Sequence, residues 1–183
     1  MQTNSGLLNQ FRETEWRLYQ LGKRHRLKSH DFTVISSNCI GTFMYYDMGL
    51  EYLTPTINMS IPLDDLVKLA ADLRQYNKDF GEAAAKWEER KQRINWEHIC
   101  IVGAERDQCS YETLKNFDRL PYENKVVFTH IEYPEISSAY YIKGFEHQAE
   151  LGTITDYKNQ FLKRRYMDDF DYIALLNRTT GKR

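Results

Sequence analysis

The sequence predicts an α/β fold: a single three-layer domain with a mainly parallel, at most mixed, sheet and helices on both faces. Three observations carry this. Short β-branched runs, DFTVIS at 31–36, HICIVG at 98–103 and KVVFT at 125–129, have the continuous apolar character of strands buried on both sides. Between them lie segments with apolar residues three and four apart, the helical period. Strands that alternate with helices pack as a parallel sheet covered by its own crossovers. At 183 residues, 42 % hydrophobic and 28 % charged, the chain reads as one domain, 1–183, large enough to bury a core without disulfide or metal staples.

Taken in order, residues 7–28 read as a helix with Leu7, Leu8, Phe11, Leu18 and Leu21 recurring at helical spacing and a basic tail from Lys23 to Lys28. Cations there complement the helix dipole; the same tail offers a peripheral contact with an anionic inner-membrane surface. The first strand, 31–36, runs through Ser37-Asn38-Cys39-Ile40-Gly41 into a helix over 42–48 that Gly49 caps. Residues 54–59 read as extended. Ser60-Ile61-Pro62-Leu63-Asp64-Asp65 opens a helix to about Tyr76, with Pro and acids in its first turn. Residues 82–94 are strong helix formers. The second strand, 98–103, is followed by a charged loop and by a helix that Ser110 caps, to about Arg119. The third strand, 125–129, and a fourth at 138–142 precede helices at 155–165 and 168–177.

Composition narrows the functions. Twenty-six acids against 25 bases give a net charge of −1, which argues against holding nucleic acid by bulk charge. No apolar run reaches the roughly 18 residues of a membrane span, and the N-terminus lacks a signal-peptide layout, so the chain reads as cytoplasmic. Cys39, Cys100 and Cys109 form no CxxC pair, and the histidines show no HxH or HExxH spacing, so no metal site is expected from the chain's own motifs. GxxxxGK[ST], GxGxxG and GxSxG are absent. Aromatic residues reach 14 %, with 13 tyrosines, which suits sugar surfaces and half-buried sheets alike.

In parallel sheets ligands bind beyond the carboxyl ends of the strands, which directs attention to three loops. The first carries Ser37, Asn38 and Cys39. Its helix start either cradles an anionic group on backbone N–H groups or is simply capped by these side chains. Cys39 is either an activated thiol or a small filler. The second loop carries Glu105, Arg106 and Asp107. Arg106 can hold a phosphate or carboxylate in bidentate fashion, and either acid can serve as general base or hold a divalent cation; the alternative is a solvated turn. The third carries Thr129, His130, Glu132, Tyr133 and Pro134, where His130 reads as a surface histidine or an acid–base group, and Pro134 holds Tyr133 extended.

The stretches DFTVISSNCIG, YLTPTINMSIPLDDLVKL, KWEERKQRINW, ERDQCS and LPYENKVVFTHIEYPEISSAYYI resemble a bacterial family catalogued as domain of unknown function 1919, whose members are often named exopolysaccharide or capsular polysaccharide biosynthesis proteins. The likeness runs from about Leu27 to Ile142. The resemblance implies an α/β fold and a role near surface-polysaccharide synthesis. It places the family's motif residues on Asn38, Cys39 and Gly41, on Trp87, Arg90, Asn95 and Trp96, on Arg106, Asp107 and Cys109, and on Glu132, Tyr133 and Pro134. The short connection at 77–81 departs from the longer extended segment expected of the family.

Three functions follow as expectations. The first is an enzyme that transfers or modifies a sugar or sugar phosphate. Asp107, Glu132 and Glu105 would move protons, while Ser37, Asn38, Cys39, Arg106, Thr129 and Tyr133 would bind substrate; a divalent cofactor is compatible. The second is a non-catalytic glycan- or partner-binding module presenting Tyr45, Tyr46, Tyr133, Tyr140 and Tyr141. The third is a hydrolase or acyltransferase with Cys39 as nucleophile and His130 as base.

Overall fold

The computed structural model describes residues 3–75, 82–158 and 161–178. Its elements in chain order are α1 (Thr3–Arg26), β1 (Thr33–Ser36), α2 (Ile40–Met48), α3 (Leu63–Ala71), α4 (Glu82–Lys91), β2 (Ile99–Ala104), α5 (Tyr111–Asp118), β3 (Lys125–Thr129), β4 (Ala139–Tyr141), a 3₁₀ turn (Tyr166–Asp169) and α6 (Tyr172–Leu176). The strands form one sheet in the order β1-β2-β3-β4, every neighbouring pair parallel. The short connection expected at 77–81 lies outside the described residues.

Alternation along the strands fills two apolar layers. Val34, Cys100, Val102, Ala104, Val126 and Phe128 face α2 and the C-terminal segment, where Met44, Met167 and Tyr172 meet them. Ile35, Ile99, Ile101 and Val127 face α3 and α5 through Leu63, Leu66, Leu114 and Phe117. A fully buried side chain of this size contributes about 1.5–3 kcal/mol. Helices thus cover both faces, and the strands read as unbroken apolar runs because neither side meets water.

Gly103 sits on the second layer, and a Cβ there would stand 2.6 Å from Leu63 Cδ1 and 3.1 Å from Phe117 Cε2. Both neighbours are buried, so neither has room to withdraw. Gly103→Ala is expected to cost about 1–3 kcal/mol, read as a lower urea midpoint with an unchanged slope.

Local caps behave as expected in two places. Ser110 Oγ accepts the Thr113 N–H at 3.1 Å, and Gly49 closes α2. Elsewhere tertiary contacts override local propensity. Residues 54–59 are a turn, with Asn58 at φ 56°, a conformation asparagine tolerates. The helix expected at 155–165 is instead a chain reversal: Tyr157 bridges Arg165 antiparallel, and the Lys158 N–H donates to Arg164 O at 2.8 Å. Among the described residues the short 3₁₀ turn and α6 follow it. In α1 the apolar stripe Leu7, Leu8, Phe11, Leu18 and Leu21 is exposed, while Gln20, Lys23 and Leu27 are buried.

The reason is a buried polar network. Arg165 (3 % exposed) pairs with Asp47 (1 % exposed) on α2 and meets Asp168 at 2.9 Å. Lys23 of α1 reaches the same Asp168 at 2.6 Å and Tyr172 Oη at 3.0 Å. The Tyr172 hydroxyl donates to Asp47 at 2.5 Å. Burial pushes the Asp168 carboxyl up, but Arg165 and Lys23 outweigh it and hold it below the ordinary carboxylate range. Much of the basic tail of α1 is therefore spent internally. Lys23 is in the network, Arg24 donates to Asp47 O at 2.7 Å, and Arg26 pairs with Asp171, which leaves fewer cations for an anionic surface.

Candidate functional site

The chain leaves β1 into α2 on one face of the sheet and leaves β2 into α5 on the other. Both loops leave from the carboxyl ends of neighbouring strands, the edge at which ligands of parallel sheets bind. A pocket of about 90 Å³ lies there, lined by Ser37, Asn38, Ser60, Ile61, Ala104, Arg106 and Asp107.

Loop one is tightly built. The Ser37 N–H donates to Val102 O at 3.0 Å, and Ser37 O accepts from the Ile61 N–H at 2.7 Å. Gly41 lets α2 press onto the end of β1, since a Cβ would stand 2.8 Å from Ser36 Cβ. The first N–H groups of α2 are already occupied: Asn38 Oδ1 accepts from Ile40 at 3.0 Å, and Ser36 Oγ from Gly41 at 3.3 Å. Asn38 thus caps this helix start as expected, with Ser36 in place of Ser37, and the N–H groups of Ile40 and Gly41 are not open to a ligand. What remains for a ligand are side chains. Ser37 is 4 % exposed, and its Oγ has no hydrogen-bond partner among the described residues. The Asn38 amide nitrogen and the half-buried Arg106 guanidinium likewise make no hydrogen bond or ion pair among the described residues. Asp107 and Gln108 both hold positive φ, 59° and 60°, which costs of order 1 kcal/mol each for residues with a Cβ. The Cys109 N–H to Arg106 O bond, 3.2 Å, closes this turn and puts Asp107 on the pocket rim.

Between the lining residues Ala104 and Arg106 stands Glu105, the centre of a second constellation. Glu105, 4 % exposed, is the first residue beyond β2. Its carboxylate accepts the His130 backbone N–H at 2.9 Å, the His130 ring through Nδ1 at 2.6 Å and the Tyr133 hydroxyl at 2.6 Å. Burial and this hydrogen bond raise the Tyr133 hydroxyl well above its ordinary pKa.

The sequence-based site residues thus separate. Ser37, Asn38, Arg106 and Asp107 share the pocket. Glu105 is a fully engaged buried carboxylate that holds His130 and Tyr133, rather than a free base. Tyr133 spends its hydroxyl on Glu105. Thr129 is buried, and its hydroxyl donates to Ile131 O at 2.7 Å, closing a local turn instead of facing a ligand. Glu132 is exposed and lines none of the pockets described here. Cys39 is exposed at the α2 cap and does not line the pocket. His130 is not the surface histidine of one of its two readings: its side chain is only 12 % exposed and tied to Glu105. The one signal that pointed to the pair was positional, since each is the first residue past one of two adjacent strands.

The tyrosines also part company. Tyr45 is fully buried, its hydroxyl bridging Phe32 O and the Val34 N–H, so it belongs to the core and not to a glycan surface. Tyr140 donates to Asp169 O, and Tyr141 to Glu146. Among the described residues no three or more His, Cys, Asp or Glu side chains are grouped to hold a metal ion. No described helix is long and apolar enough to cross a membrane.

The cysteines give a direct check. Burial pushes Cys100 up to about 12; burial, with Glu105 and Asp64 nearby, does the same for Cys109. Cys39 is exposed. Brief alkylation of the native protein at neutral pH is expected to label Cys39 and spare the other two, read by peptide mass spectrometry.

Fold and site together define an α/β protein with a small polar pocket at the carboxyl edge of a parallel sheet and a buried carboxylate–imidazole pair next to it. The chain belongs to the family described as Domain of unknown function (DUF1919), whose model matches residues 10–80 and 75–177. It is similar to an uncharacterized protein of Haemophilus influenzae, 31 % identical over an alignment of 183 positions, gaps included, which covers 84 % of this chain and 88 % of that one.

Proposed function

We propose that the protein is an enzyme that transfers or modifies a sugar or sugar-phosphate group, and that the pocket at Ser37, Asn38 and Arg106 seats the substrate's anionic group. The observation that carries this is the pairing, in one pocket, of a buried hydroxyl and a guanidinium that have neither partner nor counter-ion among the described residues. A buried polar atom left unpaired costs about 1–3 kcal/mol, which a phosphate or carboxylate oxygen accepting from Ser37 Oγ would relieve. Arg106 would neutralise charge that develops on a leaving phosphate. The volume, about 90 Å³, supports a phosphate-sized group inside and the sugar over the rim; pockets that enclose whole drug-sized ligands run to about 300–1,000 Å³. Asp107 on that rim is a carboxylate within reach of an acceptor hydroxyl. The setting, assembly of bacterial exopolysaccharide or capsule, rests on the sequence resemblance.

A thermal-shift panel of inorganic phosphate, sugar phosphates, nucleotide sugars and neutral glycans, each with and without magnesium or manganese, tests it. Phosphorylated ligands raise the midpoint if the reading holds. Shifts with neutral glycans alone favour a binding module, and shifts with none of them defeat the proposal.

A further inference from the structure

Three successive parallel strands end in a hydroxyl, a carboxylate and an imidazole: Ser37, Glu105 and His130 are the first residues past β1, β2 and β3. The carboxylate–imidazole part of this row is built with unusual completeness. The Glu105 backbone is pinned on both sides, its N–H donating to Phe128 O and its carbonyl accepting from the Leu151 N–H, each at 2.9 Å. A carboxylate only accepts, so its contact with His130 Nδ1 at 2.6 Å puts the ring proton on Nδ1. The same Oε2 takes the His130 backbone N–H, so ring and main chain are gripped by one oxygen, and Tyr133 holds the other. In the neutral ring this tautomer leaves the lone pair on Nε2. That nitrogen makes no hydrogen bond among the described residues, in a side chain that is nearly but not wholly buried. Ser37 Oγ likewise has no partner among the described residues.

An imidazole with one nitrogen fixed on a buried carboxylate and the other free is the arrangement that general bases use, because the carboxylate selects the tautomer and stabilises the imidazolium that forms. We propose that His130 is the proton-transfer residue of this site and that Glu105 is its positioning residue. This rests on the anion seat proposed above. An acceptor hydroxyl of the substrate gives its proton to Nε2. The electron pair of that O–H bond forms the new bond to the transferred group. The leaving oxygen departs with its own bonding pair toward Arg106, and the proton on Nε2 returns to it. Asp107, exposed on the rim, is then a contact for the sugar rather than the base.

The test uses the full chain with 15N-labelled histidine and inorganic phosphate as probe, followed by ring-nitrogen NMR and, in parallel, by thermal shift. The expected result has three parts. His130 shows the Nδ1–H tautomer. Its Nε2 resonance moves with phosphate and saturates where the thermal shift does, while the other four histidines stay in place. Arg106→Ala raises the phosphate needed roughly tenfold or more, and Glu105→Gln shrinks the Nε2 response while phosphate still binds. A merely structural His130 would not respond to phosphate. If phosphate raises the midpoint but Nε2 does not move, the role of His130 is overturned and the anion seat stands. If phosphate does not bind, both fall.

Discussion

Arg165→Ala is expected to lower the unfolding free energy by about 3–5 kcal/mol, the range seen when one partner of a buried ion pair is removed. In a chain of this size that is a drop of roughly 10 °C in melting temperature. The loss exceeds that of a surface pair because Asp47 and Asp168 stay behind, both buried, with Lys23 as the one remaining cation on Asp168. The pH dependence has a definite sign. The folded Asp168 carboxyl is held below its unfolded value, so its contribution is present above the unfolded pKa of about 3.9 and is lost as pH falls through the folded value. The gap between wild type and Arg165→Ala therefore narrows below about pH 4. Urea unfolding at pH 7 and pH 3 measures both effects. An equal gap at the two values would mean that the network does not titrate as described.

Arg106→Ala is expected to do the opposite: leave the fold untouched and remove ligand binding. The side chain has no partner among the described residues, so the stability change should stay within about 0.5 kcal/mol. The loss of a charged, bidentate contact to a phosphate is expected to weaken binding or turnover by about 2–4 kcal/mol, roughly 30- to 1,000-fold. Arg106→Lys keeps the charge and loses the fork, so it should fall between. Circular dichroism and urea unfolding check the fold, and calorimetry with a sugar phosphate checks the binding.

Much of the fold was legible because its signals are local. β1, β2 and β3 stand within two residues of their expected bounds, since a strand buried on both faces writes itself as a short β-branched run. Ser110 and Gly49 announced their caps for the same reason. The failures are places where a distant partner decides. Residues 155–165 carry a helical pattern, yet Arg165 is drawn to Asp47, 118 positions away, and the chain reverses to deliver it. The apolar spacing of α1 announced a helix but not its buried face, because Lys23 meets Asp168 of the C-terminal segment on the other side, where Gln20 is buried as well. In the site, the gathering of Ser37, Asn38, Arg106 and Asp107 followed from the rule that ligands bind at strand ends. The grip of Glu105 on His130 did not. It depends on register between β2 and β3, and their places just past two adjacent strands mark them as neighbours without marking the contact.

The central claim is that the pocket between the ends of β1 and β2 is an anion seat built on Arg106. Isothermal titration of inorganic phosphate and of a sugar 1-phosphate into the wild-type protein and into Arg106→Ala tests it most directly. Saturable binding to the wild type, stronger for the sugar phosphate and lost in the folded variant, is the predicted result. Binding that survives in Arg106→Ala, or none to either protein, would contradict it.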